Sequence, residues 1–285
     1  MKRFVSIGEC VIELRGKGDG SYRLGYAGET LEAALAARAR LGTDWSIDYV
    51  TALGDDDQSQ QLVDFLADLE IGIGGILKIA GGRPGLVLVD DTPDGPVATS
   101  WRSQSAARAL ADFPEALNGA LAGAGMIYVS GSTLAILNAR ARGRLMKALH
   151  IARTAGAVIA FSPVEDENLW TSRRVMGSTL SAASIVADIV LAEPGGMFGD
   201  DTPEAVVRRY REGGATTVIA GRPGREMLVA SGGAEERIAP ASSGPPSRGT
   251  FDGQCLAAIM AGAPPAEAVR MALAAGAAEG RVSPV

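Results

Sequence analysis

Residues 126–162 read MIYVSGSTLAILNARARGRLMKALHIARTAGAVIAFS, and their pattern decides the fold. Met126 to Ser130 is a short apolar run, the mark of a strand buried on both faces. A helical stretch near Ala135 to Arg153 follows, and a second apolar strand runs from Ala157 to Phe161. The alternation continues downstream. A helix is expected near Thr171 to Ala183, a strand over Ile185 to Leu191, a helix over Pro203 to Glu212 and a strand over Thr217 to Ala220, then the apolar run Glu226 to Ala230. Strand and helix in strict turn, with apolar strands, predict a doubly wound, mostly parallel sheet covered by helices on both faces. Ligands of such sheets sit beyond the carboxyl ends of the strands.

Upstream, Phe4 to Ile7 is a buried strand stopped by Gly8, and Cys10 to Leu14 reads as its continuation toward a sheet edge. The stretch Gly8-Glu9-Cys10-Val11-Ile12-Glu13 lacks the G-x-G-x-x-G that a dinucleotide-binding turn needs. Arg15 to Gly25 is glycine-rich and polar, as in a hairpin or flap. An Ala-rich helix opens at Ala27-Gly28-Glu29-Thr30-Leu31-Glu32 and ends at Gly42. Asp48 to Gly54 is a further strand. The acids Asp55-Asp56-Asp57 precede a helix over Gln58 to Leu69, where they suit the positive end of the helix dipole better than a metal. Leu86 to Asp90 and Val97 to Trp101 are strands joined by the turn-rich Asp91 to Pro96. Arg102 leaves that hairpin beside Trp101. It reads either as a solvated arginine or as a clamp for a carboxylate.

Residues 244–262, GPPSRGTFDGQCLAAIMAG, form a Gly/Pro/Ser loop that breaks into a small-residue helix. A glycine-bearing loop at a helix N-terminus is a ready anion site, since free N–H groups and the dipole point outward there.

Composition narrows the classes. The chain has 285 residues, 47% of them hydrophobic, enough for a substantial core. A net charge of −6 and a pI near 5.0 argue against a nucleic-acid partner. Two distant cysteines and a single histidine make no metal-spaced motif, which predicts a reduced, cytoplasmic protein without a metal site of its own. The N-terminus lacks the apolar core of a signal peptide, and no apolar run is long enough to span a membrane.

Several segments together resemble the ribokinase-like (PfkB) sugar kinases, and within them the 2-keto-3-deoxygluconate kinases. They are Ile7 to Leu14, Gly25 to Leu31, Tyr49 to Asp56 with Ser59-Gln60-Gln61, Trp101-Arg102 with Ala106-Ala107, and Tyr128 to Gly131 with Leu134 to Leu137. The resemblance covers most of the first half, and the order of elements follows the family to the C-terminus. It implies one ribokinase-like domain over 1–285, a three-layer α/β/α sandwich with a small β lid from segments near 12–25 and 85–101. It also implies phosphoryl transfer from ATP, with magnesium, to the hydroxyl of a sugar or sugar acid, and a homodimer formed through the lid. Glu9, Gly28, Glu29, Glu32 and Arg102 would then bind the sugar, and Arg222, Gly224 and Gly249 the nucleotide.

The motifs depart from the family pattern at the chemistry. The family's Gly-Gly-Asp/Asn-x-x-Asn becomes Ala27-Gly28-Glu29-Thr30-Leu31-Glu32, so Glu32 offers only an acceptor where an asparagine also donates. A phosphate segment becomes Gly221-Arg222-Pro223-Gly224, and its proline has no N–H to offer. The late Asp-Thr-x-Gly-Ala-Gly-Asp aligns without gaps so that Ser247-Arg248-Gly249 falls on Ala-Gly-Asp. Gly249, which cannot take a proton, then stands at the family's base position. The alternative is a shifted base, Asp252, from the spacing Gly249-Thr250-Phe251-Asp252. It needs the following helix to be about one turn shorter. Two functions therefore stay open, an ATP-dependent sugar kinase and an inactive relative that binds a sugar, a nucleotide or a protein partner.

Overall fold

A computed structural model describes residues 2–93, 95–240 and 245–275. Asp94 of the expected turn and Gly244 of the Pro-rich loop lie outside the described residues. In chain order the elements begin with β1 Arg3–Ile7, β2 Val11–Gly16, β3 Tyr22–Ala27, α1 Glu29–Arg40, β4 Ser46–Leu53, α2 Asp57–Asp68 and β5 Gly72–Lys78. Next come β6 Gly85–Thr92, β7 Gly95–Trp101, α3 Pro114–Leu121, β8 Met126–Ser130, α4 Gly131–Ile136, α5 Ala139–Thr154 and β9 Val158–Ser162. The last are α6 Arg173–Val186, β10 Ile189–Ala192, α7 Pro203–Glu212, β11 Thr217–Ala220, β12 Met227–Ser231, β13 Ala234–Ile238, α8 Arg248–Met260 and α9 Pro265–Ala275.

The large sheet has the order β13-β12-β11-β10-β9-β8-β1-β4-β5. It is parallel from β11 to β5, while β12 and β13 are antiparallel additions. Its strands alternate between two cores. Ile127, Val129, Ile159, Phe161 and Val190 pack under α3 to α7. Met126, Tyr128, Ala160, Ile189 and Leu191 pack under α1, α2, α8 and α9. A side-chain period of two sends successive residues to opposite faces, and that period is why both faces carry helices. Leu31 and Phe251 are fully buried between α1, α8 and the sheet, and burial of such a side chain stabilises by about 1.5–3 kcal/mol.

A second, four-stranded sheet, β3-β2-β6-β7, pairs residues 11–27 with 85–101. These are the segments expected to form a lid. Cys10 to Leu14 is not the continuation of β1, because the chain breaks at Gly8 and β2 leaves for this smaller sheet.

Other differences have local causes. The helix expected near Ala135 to Arg153 is two helices, broken where Asn138 caps α5 by accepting from the Ala141 N–H at 2.9 Å. The strand expected from Ile185 starts at Ile189 because α6 continues to Val186, with Ile185 on its exposed face. Strand β5 carries Gly72, Gly74 and Gly75, which hide it from a β-propensity reading. Asp56 caps α2 by accepting from the Ser59 N–H at 2.7 Å, as the acid run suggested. No helix among the described residues is long and apolar enough to cross a membrane.

Candidate active site beneath the small sheet

The carboxyl ends of β1, β8, β9 and β10 open onto two cavities. The first, of about 210 Å³, is lined by residues of three segments and by Arg102 at the exit of β7. Glu9 and Val11 come from the turn after β1, Gly28, Glu29 and Thr30 from the start of α1, and Ser130, Ser132 and Thr133 from the β8–α4 junction. Glu9, Gly28, Glu29 and Arg102, far apart in sequence, therefore meet here. Gly28 is needed for this convergence. Its φ is 141°, and a Cβ would stand 2.5 Å from the Glu9 carbonyl oxygen, so only glycine lets the two segments touch.

Arg102 is neither solvated nor free. Its Nε donates to Glu9 Oε2 at 2.7 Å and its Nη2 lies 2.6 Å from the same oxygen. The Glu9 side chain is only 2% exposed, so this is a buried pair. Two carboxylate oxygens in the cavity walls, Glu9 Oε1 and Glu29 Oε1, are shut off from solvent and have no hydrogen-bond partner. Burial raises the Glu29 carboxyl above its ordinary range, while the Ser130 and Ser132 hydroxyls beside it favour the charged form.

The second cavity, of about 360 Å³, lies beyond β9 and β10. Ser162, Glu165, Glu193, Arg222 and Arg248 line it, with the loop 194–196. Arg222 approaches Glu193 at 3.5 Å and Arg248 approaches the same carboxylate at 3.3 Å. Arg248 also donates to the Leu191 carbonyl at the end of β10. Gly224 adopts a φ of 88° and packs on Pro245 rather than on a cavity wall.

Helix α8 starts at Arg248, which lines the second cavity. The Ser247 hydroxyl caps it by accepting from the Thr250 N–H at 3.2 Å and donates to Glu32 Oε2 at 2.6 Å. Glu32 thus ties α1 to α8 and lines neither cavity. The shorter helix that a shifted base requires is absent. Asp252 lies in the second turn, 0% exposed and also outside both cavities. It accepts from the Tyr128 hydroxyl at 2.8 Å, and Arg248 Nε sits 2.9 Å from its other oxygen. Burial pushes its carboxyl up, and Arg248 pulls it back down. Gly249 faces α1, where a Cβ would lie 2.4 Å from the Glu29 carbonyl oxygen.

The family model for pfkB family carbohydrate kinases matches residues 1–279. The chain belongs to the pfkB family of carbohydrate kinases. This carbohydrate kinase chain is 30% identical over 235 residues to the 2-dehydro-3-deoxygluconokinase of Dickeya dadantii, covering 80% of this chain and 76% of that one. A PfkB protein from Polaromonas sp. superposes with a TM-score of 0.84 at 23% identity, over 97% of this chain and 95% of that one. A fructokinase from Xylella fastidiosa, solved with bound ATP, superposes with a TM-score of 0.82 at 18% identity, over 97% and 91% of the two chains. These two superpositions bear on the fold, which is that of the ribokinase-like sugar kinases.

Sequence reading missed the hydroxyl wall of this kinase-family cavity. Ser130, Ser132 and Thr133 sit where β8 turns into α4, and the cluster Ser130-Gly131-Ser132-Thr133 at a strand's carboxyl end was the available signal. It also missed the Tyr128–Asp252–Arg248 connection. Its members are ordinary core and helix residues until the fold joins them.

Proposed function

We propose that the chain transfers a phosphoryl group from ATP to a sugar acid of the 2-keto-3-deoxygluconate type, with the sugar in the 210 Å³ cavity. One observation carries this reading. Two buried carboxylate oxygens without partners, on Glu9 and Glu29, line one polar cavity. A buried acceptor left unmade costs about 1–3 kcal/mol, and ligand hydroxyls are the donors that would satisfy both. The Dickeya relative supports the choice of sugar acid. Arg102 spends Nε and one terminal nitrogen on Glu9. Its remaining donors can meet the substrate carboxylate.

The residues around the 360 Å³ cavity fit a polyphosphate. The volume lies within the usual range for ligand pockets, and the guanidinium groups of Arg222 and Arg248 suit phosphate oxygens. Among the described residues no group of three or more His, Cys, Asp or Glu side chains is placed to hold a metal. Magnesium at such sites rests on one or two carboxylates plus substrate phosphates, and Glu165 and Glu193 would supply them. Bound there, it would neutralise charge on the phosphates. Arg222 and Arg248 would orient the nucleotide.

A second reading, sugar binding without turnover, is favoured by Gly249 at the family's base position. Titration calorimetry with 2-keto-3-deoxygluconate and with ATP–Mg²⁺, followed by a coupled ADP-release assay on the same sample, separates the two. Sugar-dependent ADP release is the expected result. Sugar binding without release supports the second reading, and no sugar binding overturns both. Glu9→Leu removes one acceptor and strands Arg102. A rise in the sugar Kd of about 10-fold or more is expected, in line with the roughly 1.5–3 kcal/mol of a hydrogen bond to a charged group.

A further inference from the structure

We propose that Glu29 is the catalytic base, taking the proton of the attacking sugar hydroxyl. The inference rests on the kinase reading above and deepens it. A base must stand in the acceptor cavity, on the side facing the phosphoryl donor, with a free oxygen. Four carboxylates line the two cavities. Glu165 accepts from the Met197 N–H at 2.8 Å, and Glu193 is shared by Arg222 and Arg248; Glu9 also keeps Oε1 without a partner, but its other oxygen carries the Arg102 ion pair. Glu29 forms no ion pair within 4 Å among the described residues, and its Oε1 has no partner.

Its location meets the second condition. Glu29 lines the 210 Å³ cavity, and Arg248 lines the 360 Å³ cavity. Glu29 Oε1 is buried in the wall of its cavity, and Gly249, next in the chain after Arg248, lies against the Glu29 main chain, so Glu29 stands beside the start of α8, whose Arg248 lines the other cavity. The α1 terminus adds a further support. Glu29 is the first residue of the helix, where the dipole favours a carboxylate. The Glu29 main chain also occupies the space into which a residue-249 side chain would project, at 2.4 Å from its Cβ. The Glu29 backbone thus abuts residue 249, while Glu29 itself lines the 210 Å³ cavity.

The step balances simply. The substrate hydroxyl oxygen bonds to the γ-phosphorus of ATP, and its proton passes to the Glu29 carboxylate. The bond from that phosphorus to the ADP oxygen breaks, and ADP leaves with the electron pair. The proton on Glu29 then exchanges with solvent.

Glu29→Gln in the full chain tests this, assayed with saturating ATP–Mg²⁺ and 2-keto-3-deoxygluconate. Expected is a kcat loss of about 10²–10⁴-fold, with sugar binding still visible by calorimetry. If this variant does not bind sugar, Glu29→Ala with added formate decides, and recovery of turnover by formate is the expected result. A Glu29→Gln kcat within about tenfold of the parent, or no formate recovery in Glu29→Ala, overturns the assignment. Parental turnover that survives Glu29→Gln refutes Glu29 alone and leaves the kinase reading intact. No parental turnover refutes both.

Discussion

Gly253→Ala destabilises the chain, although alanine is favoured over glycine in a helix by about 1 kcal/mol. Helix propensity and packing oppose each other at this site, and packing wins on magnitude. A Cβ on residue 253 would stand 2.2 Å from the Ala33 carbonyl oxygen and 2.6 Å from its Cα. These are backbone atoms of α1, which cannot swing away as a side-chain tip can. Gly249, one turn earlier, meets the Glu29 backbone in the same way. Together they make a Gly-x-x-x-Gly face that lets α8 lie against the Ala-rich α1. Overpacking a tight contact costs about 1–3 kcal/mol. A fall in melting temperature of roughly 3–10 °C is expected for Gly253→Ala, and more for Gly253→Val. Gly249→Asp, which in the ungapped motif alignment would put a carboxylate at the family's base position, is expected to destabilise likewise and to leave kcat no higher. Thermal unfolding of the three variants checks this. A Gly253→Ala protein as stable as the parent would refute the close crossing.

Arg248→Met produces the other large effect. Asp252 is 0% exposed and Arg248 is the cation beside it. Removing one partner of a buried pair costs about 3–5 kcal/mol, because it leaves an uncompensated charge. Replacing both partners by apolar groups is often neutral, so Arg248→Met with Asp252→Leu should regain most of the loss. The pH dependence of the single variant has a definite sign. Burial already raises the Asp252 carboxyl, and without Arg248 the pull in the other direction is gone. A raised carboxyl favours the folded state at low pH, so the variant is most stable below the unfolded-state value near ~4 and loses stability as pH rises through the folded-state value. Urea unfolding at two pH values measures this. A penalty that does not grow with pH would show that Asp252 is not left charged in the variant.

The main sheet was legible because its strands are short, apolar and regularly separated by helices. The site was legible only in part. Glu9 and Glu29 were expected at a site through the family resemblance and Arg102 also as an arginine leaving a strand; the three gather in one cavity, but nothing in the sequence shows that Arg102 pairs with Glu9. Glu32 and Asp252 were equally conspicuous, and both prove to hold α8 in place rather than to face a cavity. The difference lies in rotation about a helix axis, which a small-residue helix without a clear apolar stripe does not reveal. Strand β13, AEERI, carries the charges of an exposed edge, and the alternation read from the sequence ends before it, at Ala230.

The closeness of α1 and α8 also shapes how the protein is made. Ser247 and Glu32, bonded across the two helices, are 215 residues apart in sequence. At about 5–20 residues per second, the ribosome needs roughly 10–40 s to extend the chain from one to the other. Throughout that interval the face of α1 that will receive Gly249 and Gly253 lacks its native partner. The native cover of the first helix becomes available only when nearly the last segment of the chain has emerged.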